Sequence, residues 1–131
     1  MTLIAPTTPK TTVPAHLPAD QAALARAWIA RCEAGDFSPS IVGVGTVRVF
    51  GQAGDAPVTF PRISSLEALD TLAPDERWAA TYARSVVEVH TGHRRPVFAV
   101  KPGQATSGTL VTILDLTSDT DYLILSPIQG G

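Results

Sequence analysis

The sequence predicts a single α+β domain, preceded by an additional helix and an N-terminal arm. Two observations predict this class. Segments with helical apolar spacing alternate with short segments rich in valine, isoleucine and leucine, and turn-forming residues separate them. The chain has 131 residues, of which 44% are hydrophobic, and this is enough to form one compact core.

Composition argues against several classes of partner and compartment. The formal net charge is −2 and the cationic residues are not clustered, so no nucleic-acid partner is expected. No apolar run approaches the roughly 20 residues that cross a bilayer, so no membrane partner is expected either. The N-terminus lacks the pattern of a signal peptide, and Cys32 is the single cysteine. These features predict a cytoplasmic protein without an internal disulfide.

The N-terminal part divides into two segments. Residues 1–17 are rich in threonine and proline, which predicts a disordered or extended arm. Residues 18–35 predict a helix, because Pro18 suits its start and Gly35 suits its end. The remaining residues, 36–131, are assigned to the main domain, with an exposed diglycine tail.

The main domain opens with a predicted hairpin. Ile41–Phe50 is dominated by valine, and a second strand is expected at 58–60, between two prolines that favour a sheet edge. Gly43 and Gly45 indicate a bulge or the close approach of another backbone.

Two helical segments follow the hairpin. Ser64 and Glu67 have the spacing of a capping box, which predicts a short helix at 66–72. Pro74 and Gly92 bound a longer helix. The large apolar residues expected to line its buried face are Trp78, Tyr82, Val86 and Val89.

Three further strands are predicted at 95–100, 109–114 and 122–128. The last of them leads into segment 116–131, which reads LTSDTDYLILSPIQGG. This segment has a turn containing aspartates, an apolar strand, a proline and a terminal diglycine. It resembles the ending of the small sulfur carriers of molybdopterin and thiamine synthesis, which are β-grasp proteins like ubiquitin. The order of elements from Ile41 onward is similar as well, and the resemblance implies a β-grasp (ubiquitin-like) mixed sheet with a crossing helix.

The resemblance also implies that this chain is a substrate and not an enzyme. An E1-like or ThiF-like activating enzyme would adenylate the Gly131 carboxylate with ATP and Mg²⁺, which the partner would bind and not this chain. Gly130 and Gly131 would enter the activating channel, because glycine fits where larger residues do not. The product would be either a thiocarboxylate for sulfur transfer or a conjugate with a lysine. The second route adds an E2-like enzyme and a deubiquitinase-like peptidase as potential partners, and the sequence leaves both routes open.

Residues before the diglycine are expected to contact the activating partner. In the tail these are Pro127, Ile128 and Gln129. In the preceding strand they are Tyr122, Leu123 and Leu125, which alternation divides between the core and a partner-facing surface. The sequence leaves open which of them face outward.

Two other interpretations compete with the carrier. One is a non-enzymatic α+β protein-interaction module in which the two glycines are incidental. The other is a small enzyme that uses Cys32 or the cluster from His90 to Arg95. His90 and His93 have no acidic residue or cysteine beside them, so neither a metal site nor a catalytic residue is predicted there. Cys32 falls on the apolar side of a predicted helix, which is typical of a buried small side chain.

Overall fold

A computed structural model describes residues 17–50, 57–101 and 108–125 of the chain. The helices and strands, in chain order, are α1 (Ala19–Ala34), β1 (Ile41–Phe50), β2 (Val58–Ile63), α2 (Pro74–Gly92), β3 (Val97–Val100), β4 (Thr109–Val111) and β5 (Asp121–Leu125). A 3-10 helix at Leu66–Thr71 precedes α2. The predicted arm lies outside the described residues except for Leu17, and so does the predicted end of the last strand, 126–128.

The five strands form one mixed sheet in the order β2-β1-β5-β3-β4. The hairpin partners β1 and β2 are antiparallel, whereas β1 and β5 run parallel in the middle of the sheet. β3 is antiparallel to both β5 and β4. The predicted α+β class is confirmed, and the last described strand is the central one.

The two glycines of β1 have separate roles in the hairpin. The register shifts between Ile41 and Gly43, which is a bulge. At Gly45 an added Cβ would overlap the ring of Phe60 on the neighbouring strand, so this position lets the ring lie flat across β1. The predicted bulge is confirmed beside Gly43, whereas the group that lies close to Gly45 is an aromatic side chain and not the backbone that was expected. β2 is an edge strand, as expected, although it continues through Pro61 to Ile63.

Helix α2 buries a stripe of alanines against the sheet. Ala79, Ala80 and Ala83 are almost completely buried, and Val87 continues the stripe. The buried face predicted from Trp78, Tyr82, Val86 and Val89 is therefore wrong by about one position, and Val89 is 55% exposed. The cause is complementary packing: the sheet supplies large side chains, including Phe60 and Tyr122, so the helix must supply small ones.

Helix α1 packs on α2 and reaches the edge strand β2. It ends at Gly35, which has the left-handed conformation expected of a helix C-cap (φ 69°). Trp28 is 2% exposed, lies against Phe37, and donates a hydrogen bond from Nε1 to Thr59 Oγ1 at 2.9 Å. The predicted N-terminal helix is therefore confirmed, and it is attached to the sheet.

Two local predictions need correction. Ser64 forms no capping box with Glu67, because the 3-10 helix begins after Ser65 and has no side-chain cap. Instead, the Ser64 N–H donates to Ser40 O at 3.3 Å, which ties it to the hairpin. β4 ends at Val111 and not at 114, because the chain then turns beneath the sheet and buries Leu114 and Leu116 in the core.

Candidate functional site

The central strand β5 carries the chain toward its last residues. β5 ends at Leu125, six residues before Gly131. The expected tail residues Pro127, Ile128, Gln129, Gly130 and Gly131 lie outside the described residues. The described part of the candidate site therefore consists of β5 and the surfaces beside it.

The structure decides which residues of β5 face outward. Tyr122 is 2% exposed and Ile124 is completely buried, so both belong to the core. Leu123 is half-buried and Leu125 is 45% exposed, on the opposite face of the sheet. Of the three β5 residues expected to contact a partner, Leu123 and Leu125 therefore face outward, whereas Tyr122 faces the core.

The outward face of the sheet is apolar around β5. The strand register places Leu123 beside Phe98 of β3, and Phe98 beside Leu110 of β4. Leu110 is 65% exposed, and none of these residues belongs to the buried core cluster. We refer to Phe98, Leu110, Leu123 and Leu125 as the open-face patch. Arg48 of β1 borders it on the other side of Leu123.

An ion pair holds the start of β5 in register with the hairpin. Asp121 Oδ1 accepts a hydrogen bond from Arg62 Nη2 at 2.6 Å and another from the Thr46 N–H at 3.1 Å. Arg62 Nη1 also donates to Val44 O at 3.3 Å. One carboxylate thus joins β1, β2 and β5, which positions the strand that precedes the tail.

A groove lies on the core side of β3 and β4. Its volume is about 470 Å³, and Val111, Ile113 and Tyr122 contribute to its lining together with Lys101 and Asp115. The Tyr122 hydroxyl accepts a hydrogen bond from the Asp115 N–H at 2.9 Å, which holds the lining segment against the sheet. Hydrogen bonds from the side chain and backbone of Thr117 lower the pKa of Asp115, so this carboxylate is charged at neutral pH.

A buried carboxylate joins α1, α2 and the loop between α1 and β1. Glu76 is fully buried and accepts hydrogen bonds from the Ser38 hydroxyl, the Ser38 N–H and the Ala73 N–H, the last two at 2.9 Å. Arg31 pairs with Asp75 at 2.8 Å and approaches Glu76 at 3.5 Å. Burial alone would raise the pKa of Glu76, but the bonds from Ser38 and Ala73 and the charge of Arg31 lower it. Sequence reasoning missed this network, because its members are far apart in the chain and acidic residues in a first helical turn are ordinary.

The two alternatives of the enzyme interpretation lie on different elements: Cys32 is in α1, whereas the cluster from His90 to Arg95 is at the end of α2 and just beyond it. Burial raises the pKa of the Cys32 thiol to about 11, so the thiol is protonated at neutral pH. His90 is 8% exposed, and its pKa is lowered by burial and then by Arg95, whose Nη1 lies 2.9 Å from Nδ1. Within the described ranges, no three histidine, cysteine, aspartate or glutamate side chains lie close enough together to hold a metal ion.

Comparison with known proteins adds no family assignment. No protein family, no curated protein and no solved structure matches the chain significantly. In the part of the chain that the structure describes, no helix is long and apolar enough to cross a membrane.

Proposed function

We propose that this chain is a β-grasp carrier or modifier whose Gly131 carboxylate is activated by a cytoplasmic E1-like or ThiF-like enzyme. The observation that supports it most is the strand order β2-β1-β5-β3-β4, with β1 and β5 parallel at the centre and α2 crossing between the hairpin and β3. This arrangement supports the β-grasp fold that the sequence resemblance implies. In this strand order β5, the last described strand, is central, so the residues that follow it start from the middle of the sheet.

The proposed chemistry occurs at the terminal carboxylate. A carboxylate oxygen of Gly131 attacks the α-phosphorus of ATP, pyrophosphate leaves, and an acyl-adenylate forms. Hydrosulfide from a sulfur donor or the thiolate of an enzyme cysteine then attacks the carbonyl carbon, and AMP leaves. The first route yields a thiocarboxylate, and the second yields a thioester that a lysine amine can convert to an isopeptide bond.

The open-face patch is the proposed contact surface for the activating partner. The six residues after Leu125 can extend by about 20 Å, so the partner's nucleotide must lie within that distance of the sheet end. A partner within this distance can also contact the sheet end, where Leu125 is 45% exposed beside Leu123. Exposed apolar residues grouped on one face are typical of an interaction surface.

The test is intact mass after incubation with the activating enzyme, ATP and Mg²⁺, with and without a sulfur donor. We expect either a sulfur-for-oxygen exchange or an adduct mapped to Gly131, and the branch observed identifies the route. The protein isolated from its source cell should also yield a C-terminal peptide that ends at Gly131.

Two variants of equal mass provide the control. One carries an alanine appended after Gly131, and the other carries an alanine inserted between Thr7 and Thr8. Only the first moves the carboxylate away from the adenylation site, so only the first should fail to react. Reaction of the appended variant at the normal rate would contradict the proposal.

The second candidate function is a protein-interaction module without activation. The open-face patch favours it as well, because it would bind a partner whether or not the tail reacts. In that case the appended alanine should leave partner binding unchanged, whereas a charge placed in the patch should abolish it.

A further inference from the structure

Among the described residues, no strand pairs with the outer edge of β4, which leaves main-chain groups there for another strand. β4 is the last strand in the sheet order and pairs with β3 among the described residues. The Leu125 N–H donates to Pro96 O at 3.0 Å, so residues 96 and 98 direct their main-chain groups toward β5. Residues 97 and 99 therefore direct theirs toward β4. Leu110, which lies opposite Phe98, must turn its N–H and C=O away from β3 to the open edge.

Both faces beside this edge have room for added side chains. On the open face, Leu110 is 65% exposed. On the core face is the groove of about 470 Å³, beside Thr109 and Val111, and Ile113 at its border is 68% exposed. A strand added here would place alternate side chains beside Leu110 and in the groove.

We propose that residues 2–5 of the same chain add to β4 as an antiparallel sixth strand, with Ile4 opposite Leu110. This register puts Leu3 at the apolar wall formed by Val111 and Ile113. It also puts the small Ala5 beside Thr109 and Ile4 beside Leu110. Pro6 ends the pairing because it has no N–H.

The composition of the N-terminal segment supports this choice of occupant. Thr2 and Ile4 are β-branched residues that favour strands, Leu3 between them is apolar, and the first proline occurs only at Pro6. An unpaired edge strand with exposed apolar side chains can pair with strands of other molecules unless another segment covers it. A segment of the same chain is the nearest source of such a cover.

The length of chain before α1 permits the same molecule to supply the strand. The twelve steps from Ala5 to Leu17 can span about 40 Å when extended. Five strands spaced at about 4.8 Å make a sheet only about 19 Å across. The segment can therefore cross from α1, which contacts the β2 edge, to β4 on the opposite edge. This inference is independent of the chemistry proposed for Gly131.

The experiment is amide hydrogen exchange of the Leu110 N–H, measured by NMR on the full chain. Ile4→Pro removes a main-chain donor at the centre of the added strand, and Thr8→Pro is the matched control beyond it. We expect the Leu110 N–H to exchange about tenfold or more faster in Ile4→Pro and in a chain that lacks residues 2–5. The Thr8→Pro chain should behave like the unmodified protein.

Two results would overturn the inference. Equal exchange of Leu110 in the unmodified chain and in the chain that lacks residues 2–5 would show that this segment does not cover the edge. Protection that is lost on dilution by about tenfold would assign the edge to a second copy of the chain and not to its own N-terminal segment.

Discussion

Individual residues decide how closely the hairpin and the helix layer pack. Gly45 is the clearest case, because the ring of Phe60 occupies the space that a side chain at this position would fill. Phe60 is completely buried and lies 6.1 Å from the ring of Tyr122. The glycine thus permits the aromatic contact at the centre of the core.

We predict that Gly45→Ala destabilises the protein by about 2 kcal/mol, because the ring must move out of a filled core. Urea unfolding at neutral pH measures this change. Gly43→Ala is the matched control, since nothing lies within 4 Å of a Cβ there, and its effect should be below about 0.5 kcal/mol. Equal effects of the two substitutions would contradict the assigned role of Gly45.

A single buried carboxylate also links stability to pH. Because the pKa of Glu76 is lower in the folded chain than in the unfolded chain, the unfolded state binds protons first as the solution is acidified. The stabilisation is complete above the unfolded pKa of about 4.3, and it is lost as the pH falls through the folded value.

We predict that Glu76→Gln lowers the free energy of unfolding at pH 7 by about 2 kcal/mol, since charged hydrogen bonds to Ser38 and Ala73 are replaced by weaker ones. The difference from the unmodified chain should shrink as the pH falls below about 4.3. Denaturation midpoints at several pH values measure both effects. Glu67→Gln, at an exposed site, should show neither effect. A difference that is independent of pH would contradict the linkage.

At the scale of elements, β5 contributes side chains to two surfaces, the core and the open-face patch. Its even-numbered residues fill the core, and its odd-numbered residues Leu123 and Leu125 belong to the open-face patch. The Asp121 contacts hold the strand in register, so a change at the outer face need not disturb the inner one.

We predict that Leu125→Arg weakens binding of the activating partner by about tenfold, or about 1.4 kcal/mol, because a charge replaces an apolar contact. The KM of the activation reaction measures the change. Leu66→Arg is the matched control, since Leu66 is 55% exposed but lies outside the patch. Folding stability should change little in either variant. An equal effect on KM would show that the patch is not the contact surface.

At the scale of the whole molecule, folding and the proposed reactivity occupy different parts of the chain. Every buried core residue in the described ranges lies at or before Ile124. The proposed reacting group is Gly131, beyond the last strand.

We predict that a chain ending at Leu125 keeps the stability of the full chain within about 0.5 kcal/mol but is no longer activated. Thermal unfolding and the adenylation assay measure the two properties separately. If truncation lowered the free energy of unfolding by several kcal/mol, the tail would contribute to the core. The proposed separation between the folded core and the reactive tail would then be wrong.

The parts of the fold that could be predicted depend on residues close together in the sequence, such as the prolines and glycines at helix ends. α1 and α2 have the expected bounds because Pro18, Gly35, Pro74 and Gly92 act on their own helix ends. The buried face of α2 was mispredicted because its large apolar residues were expected in the core, whereas its alanines are the buried residues. Its burial is decided by the size of the sheet residues opposite, including Phe60 and Tyr122.

By itself the sequence determined the element order, the helix ends and the edge character of β2. Only the tertiary structure decided the strand order, the outward face of β5 and the burial of Glu76. The physical reason is separation along the chain. The Ser38–Glu76 and Thr46–Asp121 hydrogen bonds join residues 38 and 75 positions apart, and such contacts form only when the whole sheet and its helices have assembled.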